Sequence, residues 1–201
     1  MLSLTQLILA VLALAAVGQQ LIIHIAASYD VLNFFSYFTN LSNIFAALVL
    51  LFSVFSGKGS SQDFARYVST VNMTVVGLVF AVLLRNVDLG ALLPWVNFVL
   101  HYVMPSAIVL IWLIAPPASK LTSKHLLLAL VFPATYLAYV MVRGASIGWY
   151  PYPFLNPKNV GGYGAVAAYS LGITTTFIAA SWALLIIGNR LSRLKSHGTS
   201  S

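Results

Sequence analysis

The segment Pro94-Trp95-Val96-Asn97-Phe98-Val99-Leu100-His101-Tyr102-Val103-Met104-Pro105 opens an apolar run that continues to Ala115. It reads as a membrane helix with an asparagine, a histidine and a proline inside it. Asn97 and His101 are four residues apart, so a helix projects both from one face. Pro105 follows His101 by four residues, where its ring displaces the bond to the His101 carbonyl and bends the helix. A titratable ring, a polar neighbour and a freed backbone acceptor thus share one depth.

Outward from this segment the chain repeats the same kind of apolar run. Spans are expected at about 4–26, 36–54, 67–84, 94–115, 124–142 and 163–187, each long enough to cross a bilayer. Pro94 starts the fourth at its first turn, and Pro116-Pro117 stops it. The first lacks a charged leader and exceeds the usual apolar core of a signal peptide, so it reads as a span despite Ala26-Ala27-Ser28. Composition agrees. Of 201 residues, 60% are hydrophobic and 6% charged, where soluble domains carry roughly a quarter charged residues. The expected fold is all-α, an integral membrane bundle of six transmembrane helices over residues 1–189, followed by a basic tail over 190–201.

The net charge of +7 sits in loops between apolar runs, which argues for topology and against nucleic acid. Lys58, Arg66, Lys120, Lys124, Arg190, Arg193 and Lys195 fall on one side; Arg85, Arg143 and Lys158 fall on the other. The positive-inside rule then places both termini and the tail in the cytoplasm. Thr39, Asn40 and Asn43, early in span two, are accordingly in the outer half, level with Asn97 and His101 in span four. The absence of cysteine excludes disulfides and thiol chemistry. A metal site is not expected, because His24 and His125 lie at opposite ends and no glutamate exists. The three aspartates avoid mid-span positions, which argues against a proton pump.

The polar cluster Tyr37-Phe38-Thr39-Asn40-Leu41-Ser42-Asn43 has two readings. Asparagines and threonines glue helices together in membranes, and Asn72 and Thr74 of span three are read that way. Alternatively, a hydroxyl beside a neutral imidazole is a nucleophile with its general base, and the same imidazole protonates the leaving group. Thr39 and His101 supply that pair if spans two and four adjoin. Asn40, Asn43 and Asn97 then become candidate donors to an oxyanion or to the imidazole. Gly148-Trp149-Tyr150-Pro151-Tyr152-Pro153-Phe154-Leu155-Asn156-Pro157 is a stiff outer loop that suits either an interfacial anchor or a cap over the site. Arg85 and Arg143 are candidates for a carboxylate or phosphate head group; Arg85 with Asp88 also has the spacing of an interfacial ion pair.

These segments, in this order and spacing, resemble the androgen-induced and androgen-dependent membrane hydrolases of vertebrates, most closely the prokaryotic six-helix members of that superfamily. The resemblance covers spans two to six. It implies hydrolysis of fatty acid esters of hydroxy fatty acids by an intramembrane threonine and histidine, which match Thr39 and His101. The expected function is a threonine/histidine hydrolase of lipid-like esters in a prokaryotic inner or plasma membrane, without cofactor. Its substrate would be a membrane lipid or fatty-acid derivative, with pocket residues Asn40, Asn43, Asn97, Arg85, Trp149 and Tyr152. The alternative is a non-enzymatic lipid-binding or transport protein using the same pocket. Oligomeric state is left open by the sequence.

Overall fold

The computed structural model of the chain describes residues 2–56, 59–87 and 90–198. Lys58 and Asp88 lie outside the described residues, and with them the expected pairing of Arg85 with Asp88. Among the described residues the chain is helical without strands. Six helices are long and apolar enough to cross a membrane: span one (Leu2–Ala26), span two (Phe38–Phe55), span three (Ser60–Leu84), span four (Pro94–Ile114), span five (Ser123–Ile147) and span six (Tyr163–Ser196 within a helix running to Gly198). That architecture is compatible with a multi-pass membrane protein.

Several helices exceed the apolar runs that announce them. Span three begins at Ser60 rather than near Tyr67, because its first two turns are Ser-Ser-Gln-Asp-Phe-Ala-Arg and carry no hydropathy signal. Asp63 in that first turn suits the positive end of the helix dipole. It also accepts the Ser119 backbone N–H at 2.8 Å. Arg66 pairs with Asp63 at 3.5 Å, donates to the Ala115 carbonyl and lies over the Trp112 ring, so one polar cluster ties span three to the segment after span four. The basic residues Arg190, Arg193 and Lys195 continue the helix of span six.

Span three is the centre of the bundle and packs against spans two, four and six. Span one lies on span two through Ala10, Ala13 and Ala16 against Ala46 and Ala47, all fully buried. Small side chains let membrane helices approach closely where no hydrophobic drive exists between them. Gly77 works similarly at the proline of span four: a Cβ there would lie 3.1 Å from Pro105 Cβ. Span six is held by Tyr67 Oη donating to the Ser181 carbonyl at 2.7 Å and Trp112 Nε1 donating to that of Leu184 at 3.2 Å.

Span five behaves differently. Its first part, Ser123–Ala129, packs on spans three and six, while the backbone of Val131–Ile147 stands off from the other helices and reaches span two through the rings of Phe132 and Tyr136 on Phe38. The gap is an apolar cavity of about 410 Å³. Span five ends at Gly148, whose φ of +72° is the left-handed conformation that glycine adopts without strain. The chain then folds back so that the Tyr150 ring covers Gly144. A Cβ at Gly144 would lie 2.1 Å from Cε1 of that ring, well inside contact distance. Gly144→Ala is therefore expected to lower the thermal unfolding midpoint by a few degrees, from about 1–3 kcal/mol of overpacking. Tryptophan fluorescence of the detergent-solubilised protein measures it, and an unchanged midpoint would remove the claimed packing.

Candidate functional site

Span four is an ordinary α-helix only on either side of His101. Over Val99–Val103 it widens into a π-turn, with the Met104 N–H bonded to the Val99 carbonyl five residues back. Pro105 has no N–H to continue the α-helical ladder, which accounts for a register change at this place. The Leu100 carbonyl, which an α-helix would give to Met104, instead accepts Asn43 Nδ2 of span two at 3.2 Å. The same amide donates to the Thr39 carbonyl at 2.9 Å. Asn43 thus locks Thr39 to the widened turn, and its amide is engaged on backbone rather than aimed at a substrate.

His101 Nδ1 lies 3.2 Å from the Asn97 backbone carbonyl. A carbonyl only accepts, so Nδ1 carries the proton and Nε2 presents its lone pair. Facing Nε2 at 3.4 Å is the Thr39 hydroxyl. This distance is long for an O–H···N bond. Both residues are about 8% exposed, sheltered from bulk solvent yet open to a cavity. The Asn97 contribution is its main chain; its side-chain Oδ1 is buried without a partner among the described residues.

A second π-turn, Phe80–Leu84 in span three, lies opposite the first, with the Arg85 N–H bonded to the Phe80 carbonyl at 2.8 Å. Phe80 stacks on the His101 ring at 4.1 Å and 23°, fixing its plane. Thr39 sits in the first turn of span two, where backbone N–H groups have no helical partner. Its N–H donates to Tyr152 Oη at 3.3 Å, and the two hydroxyls are 3.4 Å apart. Burial pushes the Tyr152 phenol above its ordinary value, against the lowering by its bonds to Thr39, so it remains a proton donor at neutral pH.

Tyr152 comes from the loop after span five, which covers the site. Its ring stacks on Phe154 at 5.2 Å and meets Tyr37 edge-on at 5.7 Å. Trp149 also meets Tyr37 edge-on, at 5.8 Å. Arg143 lies 5.4 Å from the Trp149 ring centre, donating to Asn33 Oδ1 at 2.8 Å and pairing with Asp30 at 3.3 Å. Arg85 is exposed and does not line the site.

Two cavities meet here. The apolar one runs along span five. The other, about 440 Å³, is bordered by His24, Asn33, Asn40, Trp149 and His101 under the same loop. Thr39, Leu84 and Tyr152 border both. Of the residues singled out from sequence, Thr39, His101, Asn40, Trp149 and Tyr152 therefore converge; Asn43 and Asn97 act from behind, and Arg85 and Arg143 do not reach the cavity wall. Among the described residues no cluster of three His, Asp or Glu gathers that would hold a metal.

Other contributors gave little sequence signal. Gln20 clamps the segment before span four, its Nε2 donating to the Ala91 carbonyl at 3.0 Å and its Oε1 accepting the Leu93 N–H at 3.2 Å. Tyr136 Oη donates to the Ser36 carbonyl at 2.7 Å, and Tyr139 Oη meets Ser36 Oγ at 3.0 Å, tying span five to the start of span two. The spacing of the two tyrosines, one helical face, was the available hint. No family model, curated protein or solved structure matches the chain.

Proposed function

We propose that this chain is a membrane hydrolase of fatty-acyl esters with Thr39 as nucleophile and His101 as general base and acid, a six-helix relative of the androgen-induced and androgen-dependent hydrolases. Both termini are assigned to the cytoplasm by the positive-inside rule, and the site to the outer half of a prokaryotic inner or plasma membrane. The observation that carries the reading is the Thr39 hydroxyl facing His101 Nε2 at 3.4 Å, on the boundary between an apolar and a polar cavity, while His101 Nδ1 is turned to the Asn97 carbonyl. An ester needs both environments at its carbonyl.

The acyl chain lies in the apolar cavity, entering from the bilayer past span five. Thr39 Oγ attacks the carbonyl carbon while its proton passes to His101 Nε2. Negative charge develops on the carbonyl oxygen, beside Tyr152, whose O–H turns from Thr39 to donate to it. The ester C–O bond then breaks, and the alcohol leaves through the polar cavity with the proton from His101. Water attacks the acyl-threonine, again losing its proton to Nε2, and Thr39 regains a proton as the fatty acid departs.

Labelling of the purified protein by a long-chain fluorophosphonate, followed by peptide mass analysis, tests the reading. The expected result is one adduct, on Thr39. No adduct, together with retention of intact lipid through purification, would replace the enzyme by a lipid-binding or transport protein using the same two cavities.

A further inference from the structure

Resting on the hydrolase reading, we infer that Asn40 positions the hydrolytic water: its side-chain oxygen accepts a hydrogen bond from one O–H of the water whose other proton passes to His101. Read from the sequence, Asn40 is a candidate donor to an oxyanion or to the imidazole. In the fold its donor has another use. Asn40 Nδ2 lies 2.9 Å from the Phe34 carbonyl. A carbonyl only accepts, so the end of the amide that faces it is the N–H2 group, and Oδ1 is the end left over.

That oxygen has no partner among the described residues, and it is open to a cavity. Asn43 Oδ1 and Asn97 Oδ1 are also unpartnered among the described residues but sealed inside protein; Asn40 Oδ1 is not sealed. Asn40 and His101 border the polar cavity and not the apolar one. Thr39, the preceding residue of span two, borders both. An acyl group on Thr39 with its chain in the apolar cavity therefore meets water on the side that carries the imidazole and the Asn40 oxygen. Among the polar side chains described in that wall, Asn40 is the one joined directly to the acylated residue.

A water that attacks an ester directs a lone pair at the carbonyl carbon while one O–H faces the base. Its second O–H then needs an acceptor, or forfeits a hydrogen bond that bulk water gives it. Oδ1 of Asn40 supplies the acceptor and fixes the rotation of the water about its bond to Nε2. The step balances. The bond from the water oxygen to the carbonyl carbon forms, the bond from Thr39 Oγ to that carbon breaks, and the proton given to Nε2 returns to Oγ. The second hydrogen stays on the carboxylic acid that leaves. Asn40 neither gains nor loses a proton.

Methanol separates this role from a structural one, because it has a single O–H, which goes to His101, and none left for Asn40. The purified protein in neutral detergent is given p-nitrophenyl oleate with methanol present, and oleic acid and methyl oleate are measured by mass spectrometry. In Asn40→Leu the ratio of methyl ester to acid is expected to rise by about tenfold. Nitrophenolate leaves readily, so deacylation limits turnover. The variant should accumulate oleoyl-Thr39 and lose kcat and KM together, with kcat/KM within about threefold of wild type. Asn40→Asp keeps an oxygen acceptor and is expected to hold the ratio near its wild-type value. Asn40→Ala reads the same rise without added bulk, should the leucine variant not fold. A ratio unchanged in Asn40→Leu and Asn40→Ala, or loss of both products together in the two, assigns Asn40 to its tie on Phe34 and overturns the inference. If the wild type still forms the fluorophosphonate adduct on Thr39, the hydrolase reading survives that loss. A wild type with neither adduct nor product ends both.

Discussion

Thr39→Ala is expected to lower ester turnover by about 10³-fold or more and to leave no fluorophosphonate adduct, with the protein still folded. Among the described residues, the substitution removes a hydroxyl that meets His101 Nε2 and Tyr152 Oη, at 3.4 Å each. The backbone links that hold this turn, Thr39 N–H to Tyr152 and Thr39 carbonyl to Asn43, survive it. A thermal midpoint near that of the wild type is the accompanying expectation. His101→Gln carries the complementary test. A glutamine keeps hydrogen-bonding capacity in the span but has no basic nitrogen, so turnover should fall by a similar factor. Because the two residues act as one unit, the double variant should be little worse than either alone. Turnover within about tenfold of wild type in either single variant would exclude the pair as the reacting groups.

Tyr152→Phe has the second-largest expected effect, about 10²–10³ in kcat with KM little changed. The ring of Tyr152 packs on Phe154 and Tyr37, and phenylalanine keeps that packing. What disappears is the hydroxyl that accepts the Thr39 N–H at 3.3 Å and faces its Oγ at 3.4 Å. A donor so placed acts on charge that exists only in the transition state, so the loss belongs in kcat. Pre-steady-state kinetics should show slowed acylation. A variant altered only in KM would reduce Tyr152 to a wall between the cavities.

Much of the architecture was legible along the chain because a helix long and apolar enough to cross a membrane leaves a one-dimensional signal. Some twenty apolar residues in succession have few other uses, and prolines and glycines mark where the runs stop. The spans at Pro94–Ile114 and Phe38–Phe55 stood where the apolar runs place them to within a few residues. Thr39 and His101 stood out for the same reason, as polar groups inside apolar runs, and they face each other at 3.4 Å. Where helices carried polar turns the pattern was silent, as over Ser60–Arg66 at the start of span three and beyond Ile187 in span six.

The sequence by itself determined the apolar spans, the interruption at Pro105 and the small set of polar groups set within those spans. Only the tertiary structure decided how those groups pair. A shift from α- to π-turn exchanges one backbone bond for another at little net energy, so it depends on what packs alongside: Asn43 on the Leu100 carbonyl, Phe80 on the imidazole. The same holds for the asparagines, three residues of one type that became a backbone lock at Asn43, a cavity wall at Asn40 and a main-chain acceptor at Asn97. Hydropathy registers that a polar side chain is buried; which partner satisfies it is a matter of directions and distances between helices far apart in the chain.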